Sequence, residues 1–436
     1  MTSVDHAPTG RGVRRVAGPA GGRRVLAVVV AGWVVVLVAV GAHPLYVSHD
    51  SISNYAHVWY VSNQLWHHHG LPSNIPTLAK GKALAFPYAF IPWVSAALLR
   101  PLLGDWVVTA WLVGGFVALV LLIVWALPEL RHRWCFAVVL VNPALVMALL
   151  VGQVPFIWAT AMLFATIGAW RRGHRWLATF LAAAAIATHP AVLGPITFAV
   201  VVGYLPWARS RRALLARLAL ASLIAVPAAV MVSKSPAVTQ SSPWFRVEQL
   251  VRIVAARGTV IALPFLLLAL ARSSRRWLVP GAFVIVGSLN AILLGPMNRY
   301  AWAAPWRHPD ERVATLIQSS HYAPGATYRV LGFSDGRVSM YRLMQHGARL
   351  DSEFFPESQA RHSWPTLTSY ERFLTDRNID YVMAWTSYDH RWRTNEHQLL
   401  RRLAADQSCT NGPLTATLVL ATRTYDVYAI APCTLP

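Results

Sequence analysis

Apolar positions in the first 300 residues come in long unbroken runs separated by short basic stretches. The runs cover 25–42, 106–127, 135–151, 154–170, 177–188, 191–206, 213–232, 253–271 and 277–296. A helix needs about 20 such residues to cross a ~30 Å hydrocarbon core, so the pattern predicts a polytopic α-helical membrane protein of about nine spans. One more apolar stretch, FPYAFIPWVSAALLRPLLG at 86–104, is interrupted by Pro87, Pro92 and Pro101.

Basic clusters set the expected orientation. Arg131-His132-Arg133, Arg171-Arg172-Gly173-His174-Arg175, Arg209-Ser210-Arg211-Arg212 and Arg272-Ser273-Ser274-Arg275-Arg276 belong in the cytoplasm with the N-terminal arginines. They all reach it only if 86–104 does not cross, so that segment is expected to be interfacial or re-entrant. Residues 1–24 then form a disordered basic cytoplasmic tail. Residues 25–42 act as an uncleaved signal anchor, and residues 25–300 form the membrane domain. The runs 177–188 and 191–206 are short for full spans, as is tolerated where broken helices line a cavity.

The first exterior loop, 44–105, opens with HDSISNYAHVWYVSNQLWHHHGLP at 49–72. Ile52, Tyr55, Val58, Trp59, Ser62, Leu65 and Trp66 recur at steps of three and four, opposite Asn54, His57, Gln64 and His68. This predicts a juxtamembrane amphipathic helix lying at the membrane surface, with Asp50 just before it.

Beyond Arg299 charged residues become frequent and the rhythm changes. ERVATLIQ, VSMYRLMQHG, SYERFLTDRN and NEHQLLRRLAAD read as helices. YRVLGF, ARLDSEFF and IDYVMAW read as strands, and ATLVLATRTYDVYAI as two strands with a turn. Helix and strand in alternation predict an exterior α/β domain at 301–436 with a partly parallel sheet.

Composition agrees with the membrane reading: 55% of the 436 residues are hydrophobic and only 13% charged, with a mean hydropathy of +0.42. The formal charge of +21 falls in the loops between runs, where it marks topology and contacts anionic lipid rather than nucleic acid. Of the three cysteines, Cys135 lies in an apolar run. Cys409 and Cys433 flank the last hairpin and are the candidate disulfide if that end faces an oxidising compartment.

With this orientation Asp50, Lys80, Lys82, Gly152-Gln153, His189-Pro190, Lys234 and Arg246 share the outer side, and Arg252 and Arg257 sit just past it. One carboxylate thus faces several cations and one amide. A sugar transferred outside the cytoplasm arrives on a lipid phosphate, and its transfer requires a base for the acceptor hydroxyl and cations for the departing phosphate. Each residue also has a plain structural role open to it. His189 can cap a helix beside Pro190, Gln153 can satisfy backbone groups, and the arginines can snorkel to the interface. His67-His68-His69 points in three directions about 100° apart, which suits no single metal ion. Trp364, Trp385, Tyr388 and Trp392 suit a core, although they are also a stacking surface for sugar rings.

These features resemble the GT-C superfamily of polyprenyl-phosphate-sugar-dependent membrane glycosyltransferases. The residues that carry the resemblance are Asp50 with Tyr55, Gly70-Leu71-Pro72, Phe86 to Pro92, Asn142-Pro143 followed by Gly152-Gln153, and His189-Pro190. The layout is also similar to bacterial membrane proteins described as 6-pyruvoyl-tetrahydropterin synthase-related. The GT-C resemblance implies an inverting hexosyl- or pentosyltransferase in the plasma membrane, with Asp50 as general base. The resemblance carries a role over to Asp50 alone; read from their own positions, Tyr55, Gln153, His189, Arg246, Arg252 and Arg257 are the candidate substrate-binding set. The implied partners are a polyprenyl-phosphate sugar donor, a cell-envelope glycan, lipid or protein acceptor, and membrane lipids. A divalent metal is compatible with such chemistry, but no DxD-like pair follows Asp50. The alternatives are a non-enzymatic carrier or an assembly scaffold for lipid-linked glycans.

Overall fold

The computed structural model describes residues 21–48, 51–131, 133–208, 210–234, 257–270, 278–292, 301–309, 311–332, 334–354, 364–387, 389–390, 394–405 and 412–433. Asp50, Arg246, Arg252, Tyr388, Trp392 and Cys409 lie outside the described residues.

The first 300 residues are mainly helical. The helices are α1 (Gly21–Gly41), α2 (Ser51–His67), α3 (Phe90–Leu103), α4 (Trp106–Ala126), α5 (Arg133–Leu140), α6 (Pro143–Leu150), α7 (Val154–Arg171), α8 (Arg175–Thr188), α9 (Pro190–Tyr204) and α10 (Arg211–Ser233). Helices Arg257–Leu270 and Val279–Ile292 follow. Four helices, Gly22–Gly41, Trp106–Ala126, Val154–Arg171 and Arg211–Ser233, are long and apolar enough to cross a membrane. The first and last of these leave most of their apolar surface uncovered, as lipid-facing helices do. By contrast α8 has 14 residues, about 21 Å at 1.5 Å per residue.

The run expected at 135–151 is two helices. Asn142 ends α5, and its side chain accepts the amide of Ala144 while Pro143 opens α6. An Asn cap followed by proline at the first helical position is a strong helix start, and it overrides the apolar continuity. The Asn142 amide also donates to the carbonyl of Thr259, 3.1 Å away.

Helices α4 and α7 run side by side in the same direction. Trp158 donates to the Trp111 carbonyl at their beginnings, and Arg172 donates to the Trp125 carbonyl at their ends. Two glycines allow this approach. A methyl group on Gly115 would strike the Trp158 indole, and one on Gly168 would strike Trp125. The first residues of α4 and α7 therefore define one end of the bundle, and Arg171 and Arg172 the other. Helix α3 both enters and leaves at the first end: Ala89, just before it, donates to the Thr188 carbonyl at the close of α8, and Gly104 hands the chain to α4.

Helix α2 departs from expectation. Over its first two turns both faces are buried: Asn54 and His57 of the polar face are enclosed like Ile52, Tyr55 and Val58, and only further along is Gln64 half-buried and His68 exposed. The helix is a core element of the first loop rather than a surface float, because α3, residues 83–86 and the C-terminal region cover it. A helical rhythm of polar side chains carries no information about which face a distant segment will cover.

The C-terminal region contains one five-stranded sheet in the order β4-β3-β5-β7-β6. Its strands are β3 (Thr327–Leu331), β4 (Arg349–Leu350), β5 (Tyr381–Trp385), β6 (Leu414–Ala421) and β7 (Tyr425–Pro432), after a small pair, β1 (Asn74–Ile75) and β2 (Ala83–Leu84), in the first loop. Strand β3 is parallel to β4 and β5, whereas β7 is antiparallel to β5 and β6. Trp364 packs on Tyr370 and Phe373, and Trp385 on Tyr425. Beneath the sheet, Arg329 donates to Glu396 at 2.5 and 2.9 Å and to Asp351 at 2.6 Å. All three side chains are almost wholly excluded from solvent. Cys433 is disulfide-bonded, and Cys135 is a free buried thiol.

This region docks on the first loop. The Leu350 amide donates to the Thr77 carbonyl at 2.7 Å, and Leu78 forms a parallel bridge with Leu350. Lys80 donates to the Asp376 carbonyl. From the helix Ser334–Gln345, the Tyr341 hydroxyl donates to Asp105 at 2.7 Å, and Arg342 lies 3.5 Å from the same carboxylate.

Candidate functional site

Two breaks in the apolar pattern meet the first loop at one end of the bundle. Gly152, between α6 and α7, has a φ of +78° and lies directly against the start of α2. A Cβ at position 152 would fall 2.6 Å from the Ser51 Cβ and 3.0 Å from its Cα. Glycine is required here twice over, for its backbone angle and for the close approach. Ser51 follows the candidate base Asp50 in the sequence, so the contact falls at the first described residue after it. Gly152→Ala is expected to lower stability by about 1–3 kcal/mol. In a double-mutant cycle of melting measurements, Ser51→Gly should couple to it by at least ~0.5 kcal/mol, because the Ser51 Cβ is the obstructing atom.

From Gly152 a chain of buried polar and aromatic groups leads across the site. Asn54 donates to the Gly152 carbonyl at 3.1 Å and accepts from the Trp93 indole at 2.9 Å. Trp93 stacks on His57 at a centroid distance of 4.3 Å, and it lies 5.3 Å from Tyr88. Tyr88 stacks on His189 at 5.6 Å. Phe156, one turn into α7, meets the His189 ring edge to face and lies under the Arg257 guanidinium.

His189 sits where α8 ends and α9 begins, and Pro190 starts the new helix. The Arg257 Nη1 lies 2.9 Å from the His189 Nε2. Guanidinium only donates, so Nε2 accepts and the imidazole is neutral, with its proton on Nδ1. That Nδ1 is buried and has no hydrogen-bond partner. An orphaned N–H next to an arginine is a donor pair suited to an anionic oxygen.

The placement of Tyr88 depends on Ala89, whose φ of +64° puts it in the left-handed region. A non-glycine residue is strained there, and such strain concentrates at functional sites. Its amide is held by the Thr188 carbonyl and its carbonyl accepts from Trp93, so both neighbours of the site fix it.

The remaining expected residues separate into groups. Tyr55 is buried, and its hydroxyl accepts the Tyr46 amide at 2.8 Å and bonds Thr109 at 2.7 Å. Its bonds position the loop from within the protein, and burial raises its pKa well above the ordinary tyrosine range. Gln153 is half-buried at the start of α7. Lys80 is turned toward the C-terminal region, and Lys82 is exposed. Among the described residues no group of three or more His, Cys, Asp or Glu side chains is placed to hold a metal ion.

His57 donates from Nδ1 to the Ala85 carbonyl at 3.0 Å. Burial disfavours its charged form and lowers its pKa to about 4, against a small opposing effect of the Ala85 bond. The unfolded chain then binds a proton below about pH 6.5 that the folded protein takes up only near pH 4. The stabilisation is complete above pH 6.5 and is lost as pH falls through that window, by about 3 kcal/mol in all. Melting temperature measured from pH 7 to pH 4 should fall accordingly. His57→Gln, which retains a donor for Ala85, should flatten the profile.

Residues 54, 88, 89 and 93 were not expected in the site; Tyr88 and Ala89 lie within the FPYAFIP stretch, Trp93 directly follows it, and Asn54 stands out only as a polar position of the 49–72 helix. Comparison of the chain with models of known protein families, with curated proteins and with solved structures finds no match in any of the three.

Proposed function

We propose that the protein is an inverting membrane glycosyltransferase that moves a sugar from a polyprenyl-phosphate donor to an acceptor on the exterior side of the cell membrane. In this reading α1, α4, α5 with α6, α7 to α10 and the helices Arg257–Leu270 and Val279–Ile292 make nine crossings. Helix α3 remains on the exterior side. Asp50 takes the proton from the acceptor hydroxyl. His189 and Arg257, with Arg252 and Arg246 from the same stretch of sequence, receive the phosphate.

The observation that carries this reading is the meeting of the Gly152–Ser51 contact and the His189–Arg257 pair at one end of the bundle. A base flanked by that contact, and a donor pair with an uncommitted N–H, are the two halves a phosphate-leaving transfer requires. A neutral histidine donating from Nδ1 stabilises charge as it develops on the leaving oxygen without losing a proton first. The arginine beside it donates to Nε2, which leaves the proton on Nδ1.

The test is transfer by the full chain reconstituted in vesicles, using a panel of radiolabelled polyprenyl-phosphate sugars and envelope extracts as acceptor. Transfer dependent on the protein supports the reading. Absence of transfer from every donor, with the protein folded, removes it in favour of a carrier or scaffold for lipid-linked glycans.

A further inference from the structure

At the end of the bundle away from His189, helices α7, α8, α9, α10 and Arg257–Leu270 enclose a cavity of about 740 Å³. That volume lies within the ~300–1,000 Å³ range of ligand cavities. Its wall is mostly apolar and includes Leu163, Ile167, Ala182, Val200, Leu218 and Phe265.

Two arginines line it, Arg171 and Arg217, and they differ in their commitments. Arg171 is held by Glu129 at 2.9 Å and by the Ala126 carbonyl at 2.7 Å. The Arg217 guanidinium lies 3.6 Å above the Trp176 indole. Its Nη1 is shut away from solvent without a hydrogen-bond partner. A buried donor left unpaired is costly, and an anionic oxygen would satisfy it.

The surroundings identify the kind of anion. Trp176, Leu177 and Phe180 on α8 and Leu215 on α10 are exposed apolar side chains, so acyl chains of a bilayer border the cavity walls. Arg172, Arg175, Arg211 and Arg212 are exposed around the same end and attract anionic headgroups. A small water-soluble anion has no use for an apolar wall of this extent. A lipid uses both features.

We propose that this cavity binds an anionic glycerophospholipid, with one acyl chain between α7, α9 and α10 and the phosphate on Arg217. Arg217 lies over Trp176, 13 residues before His189, about 20 Å along the axis of α8, so the phosphate position is separate from His189 and stands whether or not the protein transfers sugars.

The experiment uses the full chain in phosphatidylcholine nanodiscs with a phosphatidylglycerol probe carrying a photoreactive diazirine on one acyl chain. After photolysis, adducts are mapped by peptide mass spectrometry. Labelling is expected at cavity residues such as Leu163, Val200 and Leu218. Unlabelled phosphatidylglycerol should compete at least about five-fold better than phosphatidylcholine, a difference near 1 kcal/mol. Arg217→Gln and the cavity-filling Ala182→Phe should each reduce cavity labelling about five-fold or more. Labelling of the outward side chains Phe180 and Leu215 should be unchanged. Size-exclusion profiles and melting temperatures establish that the variants are folded. If Ala182→Phe does not fold, the wild-type competition and Arg217→Gln decide. Labelling confined to outward faces, equal competition by the two lipids, or cavity labelling indifferent to Arg217→Gln would each overturn the proposal.

Discussion

Asp50→Asn is expected to reduce sugar transfer by about 10²–10⁴-fold, the usual contribution of a positioned general base. Asparagine has the shape of aspartate but takes no proton, so folding and donor binding should be little affected. The donor concentration giving half-maximal rate should therefore stay within about two-fold while the maximal rate collapses, the pattern of an interaction needed only in the transition state. Wild type and variant would be measured side by side in vesicles with the active donor. Retention of most of the activity by the variant would remove Asp50 from the reaction and with it the assignment of a base. A fall in affinity at constant rate would instead give Asp50 a binding role.

Arg329→Met should destabilise the C-terminal region by about 3–5 kcal/mol, the largest effect on stability expected from a single substitution here. Arg329 is the common partner of Glu396 and Asp351, and all three are buried. Removing the cation strands two carboxylates in a medium that solvates neither. Replacing all three together with apolar residues of similar size should be far milder, and neutral to stabilising by ~1–4 kcal/mol, since burying the charges has its own desolvation cost. Thermal unfolding of the single and triple variants, read by limited proteolysis after residue 301, separates these outcomes. A mild single variant would mean that water reaches the carboxylates.

The order of helices and strands after Arg299 is legible in the sequence because a small α/β unit has local signals at every step. IDYVMAW is β5 with its two flanking residues, and SYERFLTDRN falls on the helix Leu367–Arg377. Gly152-Gln153 and His189-Pro190 are legible for a different reason: each interrupts an apolar run where a continuous helix would cost less, and each lies at a helix junction near the first loop. Less could be read of α2. Its helical period is plain, but its neighbours come from residues 83–93 and from Tyr341, and no local pattern announces them. Asp105 is similarly silent in the sequence, although Arg100, Tyr341 and Arg342 all converge on it. Ala89 carries no turn signal, since a left-handed position leads one to expect glycine, asparagine or aspartate rather than alanine. Arg329 reads as one charge in a strand until Glu396 and Asp351 are brought to it from about 67 and 22 residues away.

The bridge between Leu78 and Leu350 joins residues about 270 positions apart. At a synthesis rate of about 5–20 residues per second, the first loop waits roughly 15–50 s for the strand it will border. Throughout that interval the edge at Thr77 and Leu78 is unpaired, and the loop is without the Tyr341 helix that will lie against α2. Early release of the chain by a premature stop before Arg349 would leave the loop permanently in that state. Biogenesis of this protein is therefore timed by its last third, and quality control has a long window in which to inspect its first loop.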